Sequence, residues 1–351
     1  MMVITDCNAL QQQFLTLNLK DIFMIKKLMS ITKRIGKTGL LKITTFLFLI
    51  IFADAFIGGL LQHFYFTMKS GTQFRTTFAM EKTEAEVIIM GSSKAVHSYS
   101  TIILQDKLKA TCYNAGRDGE ASSLYHYAIL EAILKRYHPK MVVLDLMIGE
   151  FGNRLYTYDK LATLSPYYET NPEIRPIINL RSGSENFKLL SHIYPFNSLI
   201  MAIISGNIDV NGTKNLDNNG YIPLPSSIVI TQPKFTFDKR QPYALDTTKI
   251  KILNAFIEDC LKAKVQPYLI VSPTYENYTG VDPSITKLNE IANYYHIPFF
   301  NFLENPFFLD HPLMFADPLH LNESGAKIFS NMISDSIILA QQHIRLKIGA
   351  M

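Results

Sequence analysis

The chain is predicted to fold as an α/β protein with a parallel sheet, preceded by a single membrane-spanning helix. Three observations predict this. Short, near-continuous apolar runs such as Val87-Ile88-Ile89-Met90 and Met141-Val142-Val143-Leu144 read as strands buried on both faces. Segments of helical periodicity separate them, and strand–helix alternation argues a parallel sheet covered by helices. Residues 43–61 form a run of 19 mostly apolar positions, close to the ~20 that a bilayer-spanning helix needs.

The elements follow in order. Residues 86–90 form the first expected strand, 102–108 a short helix and 110–113 a second strand. That strand leads into Asn114-Ala115-Gly116-Arg117-Asp118-Gly119. Residues 122–136 place Leu124, Tyr127, Ala128, Leu130, Ile133 and Leu134 at helical spacing, and 141–146 is a strand. After a long interruption, 250–263 is helical, 267–271 a strand, 284–295 a helix, 297–302 a strand and 324–340 the final helix. The interruption, about 150–245, is rich in Tyr, Pro, Asn and Ser and has no sustained period. It is too long for an ordinary connection and is expected to elaborate the active-site edge.

The expected organisation is therefore a basic cytoplasmic segment 1–42, an anchor 43–61, a linker 62–83, and a domain 84–340 with an insertion at 150–245. Of the formal net charge of +4, residues 1–42 contribute +5, from Lys20, Lys26, Lys27, Lys33, Arg34, Lys37 and Lys42 against Asp6 and Asp21. The remainder carries −1, so no nucleic-acid-binding face is expected. Basic residues on the N-terminal flank keep that side in the cytoplasm and send the domain across. The expected location is the cytoplasmic (inner) membrane, single-pass, with the domain on the extracytoplasmic face. Ala53-Asp54-Ala55 has the form of a small-x-small cleavage site. The apolar stretch continues through Phe56, Ile57, Leu60 and Leu61, which favours an uncleaved signal anchor. Asp54 then faces a partner helix or carries a proton. Residues 1–23 read as neither anchor nor domain, with Met24 or Met29 as alternative starts.

Cys7, Cys112 and Cys260 make neither a disulfide framework nor a metal site. No histidine pair has metal-ligand spacing with carboxylates. No metal or organic cofactor is expected. Asn211-Gly212-Thr213 and Asn277-Tyr278-Thr279 fit a glycosylation sequon, a pattern that also arises by chance.

Two segments more than two hundred residues apart carry the chemistry. Gly91-Ser92-Ser93 follows the first strand, where a parallel sheet places its ligands. Asp317-Pro318-Leu319-His320 puts a carboxylate three residues before an imidazole, just ahead of the last helix. A serine, a histidine and an aspartate so delivered are the parts of a nucleophilic triad. Either motif alone is weak, since a Gly-Ser-Ser turn serves equally as a helix N-cap and Ser92 competes with Ser93 for the nucleophile. Together they point to an extracytoplasmic serine esterase or acyltransferase.

On these motifs the chain resembles the SGNH (GDSL-like) hydrolase superfamily, particularly its membrane-anchored branch acting on cell-surface polymers, which includes alginate O-acetylation and D-alanyl transfer proteins. The resemblance covers 84–149 and 247–340. It implies a flavodoxin-like three-layer α/β/α sandwich, with Ser93 as nucleophile, His320 as base and Asp317 as its orienting acid. Asn114 and Gly119 match the family's second block, an Asn followed five residues later by a Gly. The resemblance therefore places the oxyanion at the amides of Ser93 and Gly119. Asn114, Arg117 and His97 are the expected substrate contacts, Arg117 as a cation for an anionic group. The third block departs from the family pattern: Gly149 and Glu150 stand where Asn and Asp belong, and Asn153 comes four residues late. Losing one oxyanion donor can cost roughly 10²–10³ in rate. The implied substrate is an acyl (acetyl above all) ester on a surface glycan, with a membrane-bound acyl-exporting protein as partner where the reaction is transfer. The alternative is a catalytically degenerate assembly factor for surface polymer modification or export.

Overall fold

The computed structural model describes residues 5–119, 122–153, 155–209, 219–225, 236–237, 243–275, 277–278 and 281–349. The Asn211 sequon lies outside them, as does Thr279 of the second. The first helix, α1 (Thr5–Phe66), is interrupted at Gly36, whose φ of 66° is not helical. Its section Gly36–Phe66 is long and apolar enough to cross a membrane, and Leu41, Phe46, Phe48, Ile51 and Phe56 point outward from it. The chain divides into two compact units, 1–59 and 60–351.

In the second unit, helix α2 (Gly71–Glu81) lies within the stretch expected to be a linker. Strand β1 (Val87–Met90) is followed by helices α3 (Ser93–Ser98) and α4 (Thr101–Leu108) and by β2 (Cys112–Asn114). Then come α5 (Ser123–Arg136) and β3 (Met141–Asp145). The insertion contains short helices α6 (Leu155–Asp159), α7 (Arg175–Ile178), α8 (Glu185–Lys188) and α9 (Ile200–Ile208), with 3-10 turns between them. After it the chain forms α10 (Thr247–Lys262), β4 (Gln266–Val271), α11 (Pro283–Tyr295), β5 (Phe299–Asn301), α12 (Pro306–Asp310) and α13 (Glu323–Gly349).

The five strands pair in parallel in the order β2-β1-β3-β4-β5. In register, Ile88 lies between Tyr113 and Val142, and Leu144 lies opposite Leu269. Period-two alternation sends successive side chains to opposite faces. Ile88, Met90, Val142, Leu144, Leu269 and Val271 join one apolar cluster with Leu124, Ala128, Leu253 and Phe256 of α5 and α10. Val87, Ile89, Val143, Tyr268 and Ile270 join another with Phe329, Ile333 and Ile337 of α13. The α/β class and parallel sheet are those read from the sequence. Cys112 and Cys260 are buried free thiols, and burial pushes the Cys112 thiol up to about 12.

The linker expectation fails for a physical reason. Arg75, Thr76 and Thr77 of α2 are buried together with Ala79 and Met80, and Phe74 and Phe78 pack against the same apolar cluster, so polar and apolar side chains are mixed on its inward side. It belongs to the same compact unit as the sheet.

Gly91, at the end of β1, has φ 153°. A Cβ built there would lie 2.8 Å from the Ala95 Cβ and 2.9 Å from the Asp145 carbonyl oxygen. Backbone cannot yield as a flexible side chain can. Gly91→Ala is therefore expected to cost about 2–4 kcal/mol, combining overpacking and backbone strain. A fall in the urea midpoint followed by circular dichroism checks this, and an unchanged midpoint refutes it.

Candidate active site

The carboxyl edge of the sheet, next to the point where the strand order reverses between β1 and β3, is where a ligand is expected. Ser92 caps α3, its hydroxyl accepting from the Lys94 amide at 3.2 Å. Ser93 is thereby the first residue of the helix and is half-buried. Hydrogen bonds between α3 and α13 bring the distant histidine to it. The Ser100 amide donates to Ser330 Oγ at 2.8 Å, and Ser330 Oγ donates to the Ser98 carbonyl at 3.3 Å.

The loop before α13 is closed by the Ala316 amide on the His320 carbonyl, 2.9 Å. Asp317 Oδ1 accepts from the Leu319 and His320 amides at 2.8 and 3.0 Å. His320 Nδ1 lies 2.9 and 2.8 Å from the two Asp317 oxygens, and Nε2 lies 2.7 Å from Ser93 Oγ. A carboxylate can only accept, so Nδ1–H donates to Asp317, and the Nε2 lone pair is left to accept the Ser93 hydroxyl proton. Burial raises the Asp317 carboxyl, but hydrogen bonds from the His320 ring and the Leu319 amide outweigh it and hold the group below the usual carboxylate range. Asn322 caps the loop's far side. Its Nδ2 donates to the Leu313 carbonyl at 2.7 Å, and its Oδ1 accepts the Gly325 amide at 3.0 Å.

His97 lies edge-on to His320, with centroids 5.6 Å apart and planes at 86°. Its Nδ1 is 2.7 Å from the Ile222 carbonyl and its Nε2 3.3 Å from Asp118 Oδ1. Arg75 Nη2 reaches the other Asp118 oxygen at 3.0 Å. Burial raises the Asp118 carboxyl, while His97 and Arg75 hold it down more strongly. The part of the insertion that sets His97 is residues 219–225. There the Ile222 amide donates to the Val96 carbonyl at 3.1 Å, the Asn219 carbonyl accepts the Asn114 amide at 2.9 Å, and the Leu224 carbonyl accepts the Glu323 amide at 2.8 Å.

Two expected substrate contacts are placed elsewhere. Asn114 is completely buried. Its Nδ2 donates to the Ala95 carbonyl at 2.7 Å and its Oδ1 accepts the Gly116 amide at 3.0 Å. It shapes the turn and presents no atom to a ligand. Arg117 is 5% exposed; it donates to Thr76 Oγ1 and to the Thr72 carbonyl of α2, and lies over the Tyr125 ring. Its cation ties the turn to α2 and is turned away from the surface. Gly119 closes that turn at φ 78°, and its carbonyl accepts from Lys160 Nζ.

Lys94, next in the chain to Ser93, and Ser272, neither singled out in the sequence, form a buried polar group with Asp145. Lys94 is 2% exposed, and its Nζ donates to the Ser272 carbonyl at 2.8 Å. The Ser272 amide and hydroxyl donate to Asp145 at 2.9 and 2.8 Å. Burial pushes the Asp145 carboxyl up, opposed by the Lys94 charge and the Ser272 hydrogen bonds. The one signal for Lys94 was a charged residue between Ser93 and the apolar pair Ala95-Val96. At the departed third block, Glu150 is buried and its Oε1 accepts the Ser123 amide at 2.8 Å. A cavity of about 90 Å³ lies beside it, lined among others by Ser122, Gly149, Tyr156 and Lys160. Asn153 is exposed.

Such an arrangement can deprotonate a serine hydroxyl and hold the resulting imidazolium, which is the chemistry of an acyl-transferring serine. No protein-family model matches the chain, and no curated protein matches it.

Proposed function

We propose that this chain is a membrane-anchored serine esterase or O-acyltransferase of the SGNH type, built as a three-layer α/β/α sandwich. The observation that carries the reading is the 2.7 Å contact between Ser93 Oγ and His320 Nε2, with Asp317 on the opposite ring nitrogen. Ser93 Oγ attacks the acyl carbonyl carbon and its proton passes to His320 Nε2. The amides of Ser93 and Gly119 hold the developing oxyanion. Collapse breaks the ester bond, and His320 returns the proton to the leaving oxygen. Water or a sugar hydroxyl then resolves the acyl-enzyme by the same route in reverse. The acyl group is acetyl and the substrate a surface glycan. The apolar helix Gly36–Phe66 is the anchor in the cytoplasmic membrane, with the site on the far side from the basic segment. A membrane-bound acyl exporter supplies the donor in the transfer version.

The second reading, a degenerate assembly factor for polymer modification or export, is favoured by Gly149 and Glu150 at the third block. A fluorophosphonate probe separates the two. Full-length protein in detergent is expected to take up one covalent adduct, read by intact mass, and to lose it in His320→Ala. An unlabelled, folded wild type that also resists a smaller sulfonyl fluoride would favour the assembly factor.

A further inference from the structure

The insertion carries an apolar surface that the proposed chemistry does not use. Helix α9 has no charged residue. Ile203 and Gly206 face inward, while Ile200, Met201, Ile204 and Ile208 are 46%, 77%, 50% and 68% exposed. Positions 200, 204 and 208 are successive i,i+4 neighbours, and 201 lies beside them, so the four form one stripe. Single exposed apolar side chains are ordinary, whereas a contiguous stripe marks a contact surface.

Its place in the fold says what it contacts. The Gly206 carbonyl accepts the Lys69 and Ser70 amides at 2.9 and 3.2 Å. Asn207 Nδ2 donates to the Phe64 carbonyl at 2.8 Å. Helix α9 is thus bonded to residues 64–70, where the candidate span Gly36–Phe66 ends. The exposed Phe187 and Leu190 (77% and 70%) belong to the same neighbourhood. Between them in sequence, Leu189 lines a small cavity with Gln62 and Phe196, and the Phe196 ring packs on Tyr65. A spanning helix fixes the height of its last turn at the headgroup layer, and groups bonded to that turn share this height.

We infer that this stripe rests in the interfacial layer of a phospholipid bilayer, as an apolar contact at the height where the candidate span ends. The inference depends on α1 being a membrane anchor. Interfacial helices bury their apolar face about 5–10 Å into the headgroup–acyl boundary. A transmembrane segment of a partner protein is the competing occupant.

The chain contains no tryptophan, so a single introduced tryptophan reports without background. Full-length Phe48→Trp, Met201→Trp, Ile208→Trp and Tyr294→Trp are reconstituted in phosphatidylcholine–phosphatidylglycerol vesicles, with and without lipids brominated near the headgroup. Phe48 lies in the span, and Tyr294 is 77% exposed on α11. The expected result is loss of most emission at positions 48, 201 and 208 in brominated vesicles and unchanged emission at 294. Quenching at 48 with 201 and 208 behaving like 294 overturns the lipid contact and leaves the anchor standing. Absence of quenching at 48 overturns the anchor and this inference together. Two stripe positions guard against a local effect of one substitution, and matching circular dichroism spectra establish that each variant is folded.

Discussion

Ser93→Ala is expected to lower turnover of an activated acetyl ester by roughly 10⁴–10⁶-fold, the range lost when a triad nucleophile is removed. Fluorophosphonate labelling should vanish with it. Stability should stay within about 0.5 kcal/mol, because the half-buried hydroxyl carries no cap or core contact whose loss would be severe. The neighbouring serine supplies the contrast. Ser92 is 4% exposed and caps α3 through the Lys94 amide, so Ser92→Ala should cost about 1 kcal/mol of stability and leave labelling in place. Initial-rate kinetics and intact mass on both variants read the difference. The reverse pattern, with labelling lost at Ser92 and kept at Ser93, would exchange the two roles.

Asp317→Asn should reduce kcat by roughly 10⁴-fold with KM little changed. The carboxylate accepts Nδ1–H and so fixes the tautomer whose Nε2 faces Ser93. An amide can instead donate to Nδ1, which turns the ring's only proton toward the serine. The same variant predicts a pH dependence of stability. The Asp317 carboxyl is held below its ordinary value of about 3.9. A carboxyl lowered by folding stabilises the native state at every pH above the unfolded value, and that contribution disappears as pH falls through the folded value. The stability gap between wild type and Asp317→Asn should therefore close as pH falls below about 4. Urea unfolding across that range measures it. A gap that persists undiminished well below that pH would contradict the assignment. Because Asp317 is partly exposed, salt should shrink the gap.

Much of the fold is written in local patterns. The strands around Val87 and Met141 are visible because burial on both faces demands uninterrupted apolar runs. Helices α5, α10 and α11 are visible because each presents one apolar stripe. The structure moves their ends by only a few residues. Helix α2 escapes such a reading because Arg75, Thr76 and Thr77 point inward and meet Asp118, Tyr125, Tyr167 and Arg117. Those partners come from distant parts of the chain, and polar residues interleaved with Ala79 and Met80 on the buried side blur the period. Helix α9 escapes for the opposite reason. Its apolar residues fall on both the buried and the exposed side, so no polar face marks the period.

The site divides in the same way. The pairing of Asp317 with His320 spans three residues, and a short loop can supply it, so the motif announces itself. The meeting of His320 with Ser93 crosses 227 positions, and only the packing of α3 on α13 brings it about. Asn114 and Arg117 show the limit of reading side chains by chemistry alone. Both have groups suited to a ligand, and both are turned into the protein, where buried amides and cations must find partners. His97, by contrast, is held beside His320 by residues 219–225, and Asp118 is held on His97 by Arg75.

By itself, then, the sequence determined the α/β class, the apolar first helix and the identities of the triad candidates, because each depends on periodicity, length or spacing within a few turns of chain. The tertiary structure alone decided the strand order, the contact between Ser93 and His320, and which polar groups face outward. Those depend on desolvation and hydrogen bonding among residues hundreds of positions apart, and no local pattern encodes which partner a buried group will find.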